Sequence, residues 1–154
     1  MPSFSKKSLD KLKECHPDLQ KIAMEAIKEI DFTILEGHRS LAKQRENVKN
    51  GASQTLNSKH CEFPSRAFDF IPYPFKQEDW KNTKKFNDIA EVLLKCAKKL
   101  GILARRGSDW NMNGVSTDER FYDGPHFELL SKAEYQRIKN RYGKTIMDDV
   151  VNKK

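Results

Sequence analysis

Cysteine is scarce in this chain and long apolar runs are missing from it. Cys15, Cys61 and Cys96 are three, an odd number with no CxxC spacing, which argues against a disulfide framework and leaves three free thiols. No stretch approaches the roughly 20 apolar residues that a membrane-spanning helix needs, so no membrane insertion is expected. The opening residues MPSFSKKSLDKLKE hold no apolar segment of the kind a signal peptide requires, and the expectation is a protein made and folded in a cytoplasm. There is no internal repeat, low-complexity tract or linker. The 154 residues are therefore expected to form a single domain, 1–154, with its core at about 7–143.

Charge, by contrast, is abundant. Charged residues make up 33% of the chain, and Lys and Arg outnumber Asp and Glu by 29 to 22, for a formal charge of +7 and a pI near 9.3. Such a balance favours an anionic partner, either nucleic acid or an acidic cell-wall polymer. The bases are spread over three regions, Lys6 to Lys13, Lys81 to Lys99 and Arg137 to Lys144. They are not gathered into one patch with interleaved aromatics, which argues against nucleic acid.

Apolar spacing predicts the elements. Leu9, Leu12, Leu19, Ile22, Ala23, Ala26, Ile27 and Ile30 recur at three- and four-residue steps and predict two helical pieces, broken at His16-Pro17. Asp31 to Glu36 reads as a strand ending at Gly37, and a helix follows from about Ser40, its N-cap, to Lys49. Residues 51–66 read as a loop, and Ala67 to Ile71 as a strand with Ala67, Asp69 and Ile71 on one face. Phe86, Ile89, Ala90, Leu93, Leu94, Ala97 and Leu100 form the strongest helical stripe, with Asp79 or Thr83 as its cap and Gly101 as its stop. A strand over Ile102 to Ala104, an irregular stretch from Gly107 to Gly124, a strand over His126 to Leu129 and a helix from Ser131 to Tyr142 complete the reading.

Four residues carry the chemistry. Two histidines and an aspartate, His60, Asp69 and His126, suit a zinc ion with an open position, and a further acid, Asp123, could move protons. Asp69 lies in a strand among Phe68, Phe70 and Ile71, where an unpaired carboxylate is costly. It needs a cation, which is either a metal or a base such as Arg66. His126 follows Asp123-Gly-Pro, so the two can share one pocket; a structural histidine is the other reading, since no helical HExxH is present. Cys61 beside His60 is expected to point away from it, as neighbours on an extended segment do. His16 is read as a local cap or surface residue.

Taken together, Glu36-Gly-x-Arg39-Ser40, Ser58-x-His60-x8-Asp69-x2-Pro72 and Asp123-x2-His126-Phe-Glu-Leu129 resemble the D-alanyl-D-alanine carboxypeptidase family of zinc peptidases. Within it the chain is most similar to the phage-type L-alanyl-D-glutamate endopeptidases used as endolysins, over about Lys7 to Leu130. The resemblance implies an α+β fold of the hedgehog and D-Ala-D-Ala peptidase type, a small, mainly antiparallel sheet flanked by helices. It implies one Zn²⁺ held by His60, Asp69 and His126, with Asp123 as general base and Arg39 polarising the scissile carbonyl or stabilising its oxyanion. Ser58 and Gln44 would support the site, and Asp109 with Trp110 would shape a cleft wall.

Two departures from the family pattern stand out. Arg106-Gly107-Ser108-Asp109-Trp110 replaces a Trp-Gly-Gly-Asp-Trp loop, and His38 takes the place of an aromatic residue, often tyrosine. The resemblance further implies peptidoglycan as partner, a monomer, and accumulation in a host bacterial cytoplasm until a holin-type lesion gives access to the wall. Three other readings stay open: a D-alanyl-D-alanine carboxypeptidase with the same site, a zinc-bearing but inactive relative, and a basic nucleic-acid-binding protein.

Overall fold

The computed structural model describes residues 2–52, 58–115 and 123–152. The helices α1 (Lys6–Leu12) and α2 (Pro17–Ala26) precede strand β1 (Phe32–Glu36), helix α3 (Leu41–Lys49), a 3₁₀ turn (Lys59–Cys61) and strand β2 (Ala67–Pro72). A second 3₁₀ turn (Gln77–Lys81) leads to the long helix α4 (Thr83–Leu100). Strands β3 (Ala104–Arg106) and β4 (His126–Leu129) and helices α5 (Lys132–Tyr142) and α6 (Asp148–Asn152) follow. The fold is α+β, as expected.

Every strand pairing is antiparallel, in the order β1-β2-β4-β3. Because side chains alternate across a strand, the register sorts residues into two faces. Phe32, Ile34, Phe68, Phe70, Phe127 and Ala104 are buried on one face, against the stripe of α4 and, through it, α2. Phe68 and Phe127 stack there with ring centroids 5.6 Å apart. Asp69, opposite His126, and Ala67, opposite Glu128, lie on the other face.

α4 begins where Asn82 accepts a hydrogen bond from the Lys85 amide, so Asn82 is the cap rather than Asp79 or Thr83. Asp79 instead accepts from the Lys76 amide and from Lys85. The helix ends at Gly101, whose φ of 72° is the left-handed conformation glycine adopts at low cost. His16 caps α2, its Nδ1 accepting from the Asp18 amide at 3.0 Å.

Three features were not expected. The strand read at Ile102 to Ala104 lies two residues later, because Leu103 accepts the Leu130 amide and pairing starts at Ala104. α6 is too short to show a period. It is latched by Asp148, whose carboxylate accepts from Tyr135 Oη, Lys139 Nζ, Thr145 Oγ1 and the Thr145 amide. Lastly, β1 carries a bulge between Ile34 and Glu36. Strict alternation would send Glu36 to the core face with Ile34; the extra residue re-aims it, so that Glu36 stands opposite Asp69.

Candidate active site

β2 and β4 set Asp69 and His126 side by side, and the 3₁₀ turn brings in His60 from outside the sheet. Ser58 starts that turn by accepting the His60 amide at 3.2 Å, and the Arg39 amide donates to the His60 carbonyl at 2.7 Å. One ring nitrogen from each histidine and one Asp69 oxygen converge within 4.8 Å of one another. Asp69 Oδ1 is 3.1 Å from His60 Nε2 and 3.5 Å from His126 Nδ1. Both histidines are buried.

The outward nitrogens decide whether a metal suits these donors. His60 Nδ1 faces the Gly37 carbonyl at 2.8 Å, and His126 Nε2 faces Glu128 Oε1 at 2.8 Å. Both partners are acceptors only, so each ring carries its proton on the outside and turns the other nitrogen toward Asp69. Three Lewis-basic atoms thus share one buried point that a cation would stabilise. The His-Asp-His group could hold a metal ion, and a donor set of two neutral imidazoles and one carboxylate suits zinc chemically. Cys61 is outside the group: its thiol lies 3.9 Å from the Ser40 carbonyl, and burial raises its pKa against the pull of Arg39, which leaves it protonated and a poor ligand at neutral pH. Its neighbour His60 sits in a 3₁₀ turn rather than an extended segment, so the two diverge for a different reason than alternation.

Without a cation these groups perturb one another. Burial raises the Asp69 carboxyl, but hydrogen bonds from His126 and His60 outweigh it and hold the group well below the usual carboxylate range. Burial lowers the His126 imidazole, yet Asp69 and Glu128 together bring it up to about 10. Asp123 behaves differently. Burial raises its pKa, while the nearby His126, His60 and Arg39 charges oppose that rise and Asp69 adds to it. Its carboxylate is not among the converging donors, although the Asp123 carbonyl accepts the His126 amide at 3.1 Å. Gly107 crosses against both: its amide donates to the His126 carbonyl at 2.7 Å, and its carbonyl accepts the Asp123 amide at 2.9 Å. A Cβ at Gly107 would fall 2.3 Å from the Asp123 oxygen and 2.7 Å from His126 Cβ.

Arg39 completes the inner shell. Its guanidinium donates to Glu36 Oε1 through Nε (2.9 Å) and Nη2, and to Gln44 Oε1 at 2.6 Å, with Nη2 3.6 Å from Asp69 Oδ2. The β1 bulge makes this possible by placing Glu36 on the site face.

The profile of the phage L-alanyl-D-glutamate peptidase family matches residues 2–130. The chain belongs to that family. Among its relatives, the L-alanyl-D-glutamate peptidase of Escherichia phage T5 is 37% identical over 133 residues, covering 82% of this chain and 97% of that protein. The L-alanyl-D-glutamate peptidase of Listeria phage A118 is 32% identical over 104 residues, 68% of this chain and 32% of that protein's length. The crystal structure of the L-Ala D-Glu endopeptidase ChiX of Serratia marcescens superposes with a TM-score of 0.68 at 28% identity, covering 93% of this chain and 96% of that one.

The remaining positions singled out in this family member fall as follows. Gln44 is 1% exposed and holds Arg39. Trp110 lies over His126, ring centroids 5.4 Å apart. Asp109 turns inward and accepts the Asn113 and Gly114 amides, so it folds its own loop. Arg106, at the family's first tryptophan, is buried on the core face with Nη1 3.1 Å from Glu91. His38 stays off the metal group, its ring 5.3 Å from Phe63. Sequence reasoning gave no role to Glu128, Lys59 or Arg105. The available signal was the two-residue step from His126 to Glu128, which puts both on one face. The bases that hold Glu128, however, come from 69 and 23 residues away.

Proposed function

We propose that this protein hydrolyses the amide bond between L-alanine and D-glutamate in peptidoglycan stem peptides, with one zinc ion held by His60, Asp69 and His126. The observation that carries the reading is the convergence of two buried histidines and a half-buried aspartate from β2, β4 and the 3₁₀ turn, beside an uncoordinated acid and a fixed guanidinium. The activities for which the relatives are named supply the bond. Zinc in this position supplies a Lewis acid that polarises a carbonyl and acidifies water to a pKa of about 7.

The chain's own groups carry the rest. Asp123, close enough to feel all four site charges, takes the proton of the attacking water and returns it to the leaving amine; its burial-raised pKa suits both tasks. Arg39 meets the negative charge that develops on the carbonyl oxygen, and Glu36 and Gln44 keep it aimed there. Trp110 walls the cleft beside His126. The net charge of +7 draws the protein to an anionic wall. We infer further that it works as a monomeric endolysin, reaching the wall from the host cytoplasm once the membrane is opened.

Mass analysis of fragments released from defined peptidoglycan, with and without chelator, tests this. New L-alanine carboxyl and D-glutamate amino ends, lost with chelator and restored by zinc, are the expected result. Release of terminal D-alanine alone would point to a carboxypeptidase, and metal-independent cleavage would remove the zinc reading. Asp123→Ala is expected to keep the metal and lose turnover, whereas His126→Ala loses both.

A further inference from the structure

We propose that Glu128 and Arg105 act as positioning residues, fixing His126 with Nδ1 toward the metal and tying that imidazole to the Trp110 wall of the cleft. The inference rests on the reading of His60, Asp69 and His126 as a metal cage. A free imidazole can carry its proton on either nitrogen, and only one arrangement presents Nδ1 to the cage. Glu128 imposes it: Oε1, an acceptor with no proton to give, stands 2.8 Å from His126 Nε2.

Glu128 is 4% exposed, and an ionised carboxylate so deeply placed needs paired charge. It has two. Lys59 Nζ lies 2.9 Å and Arg105 Nη2 2.8 Å from Oε2, with Arg105 Nε at 3.3 Å. Both cations use the same oxygen, so Oε1 stays committed to His126.

Arg105 does a second thing that Lys59 does not. Its guanidinium sits 4.8 Å over the Trp110 ring, and Nη1 donates to the Trp110 carbonyl at 3.0 Å. Trp110 in turn lies against His126. The contacts close a circuit, His126 to Glu128 to Arg105 to Trp110 and back to His126, in which moving the cleft wall moves the ligand. Lys59 instead anchors the same carboxylate to α5 through Glu134 at 2.9 Å.

The test reads zinc affinity by chelator competition and Trp110 emission during zinc titration, in a Trp80→Phe background where Trp110 is the remaining tryptophan. Glu128→Gln is expected to weaken zinc binding by about 10- to 100-fold, the usual loss for a ligand's orienting partner. Arg105→Met should weaken it less, since Lys59 still holds Glu128, but should abolish the zinc response of Trp110. Arg105→Lys, which restores charge without the planar fork, should not restore that response.

If the cluster only stabilises the fold, melting temperatures drop while zinc affinity and the Trp110 response of the folded variants match the parent; that outcome overturns the proposal. Should Glu128→Gln fail to fold, the two Arg105 variants decide it by the same measurements. A parent protein that takes up no zinc overturns the cage itself, a result distinguishable from parent-like binding in the variants.

Discussion

Arg39 shows how much of this site depends on single side chains being held rather than merely present. Its guanidinium spends Nε and Nη2 on Glu36 and Nη1 on Gln44, so its orientation is set before any substrate arrives. Lysine keeps the charge but has no planar fork. Arg39→Lys should therefore lower kcat by about 10²- to 10³-fold, the scale for losing one oxyanion donor, with zinc content unchanged by metal analysis. Gln44→Ala should move in the same direction by less. The residue types were legible beforehand: the motifs named His60, Asp69 and His126, whose donor atoms lie within 4.8 Å of one another, and Arg39, whose Nη2 lies 3.6 Å from Asp69. A bulge, not an alternation, carries Glu36 to the site face, and bulges leave no period in a sequence.

At the level of elements, legibility followed length. The 18-residue α4 was evident from its stripe, because many buried positions at helical spacing add up to an unmistakable pattern. Leu93 lies at the centre of that stripe with 0% exposure, and Leu93→Ala should cost about 2–5 kcal/mol in denaturant unfolding. α6 has five residues, too few for periodicity, and is held by side-chain bonds to Asp148 that only folding assembles. Partial burial raises the Asp148 carboxyl, but Tyr135, Lys139 and Thr145 outweigh it and leave the group well below the usual range. A carboxyl lowered by folding contributes stability that is complete above its unfolded pKa of about 3.9 and disappears as the pH falls below it. Thermal melts should accordingly show Asp148→Asn less stable than the parent at pH 7, with the difference closing below about pH 4.

For the whole molecule, charge and catalysis are separable. The excess of 29 bases over 22 acids is distributed along the chain, whereas the proposed cage sets two buried histidines and a half-buried aspartate among β2, β4 and the 3₁₀ turn. Long-range attraction to an anionic wall is screened once the Debye length drops to about 3 Å at 1 M salt; a buried site is screened far less. Raising salt should thus reduce binding to, and clearing of, intact walls while cleavage of a short soluble stem peptide stays nearly constant, as turbidity and product assays run side by side would reveal. Equal losses in both assays would place the salt effect in the site instead. No helix among the described residues is long and apolar enough to cross a membrane.

The crossing at Gly107 ties the Trp110 segment to both His126 and Asp123. With one amide and one carbonyl bonded to His126 and Asp123, and no room even for a methyl group between them, the chain leading to Trp110 is stitched to the catalytic floor at its root. In the proposed mechanism, displacing that segment at its root would break backbone bonds to the proposed proton carrier and to a proposed metal ligand together.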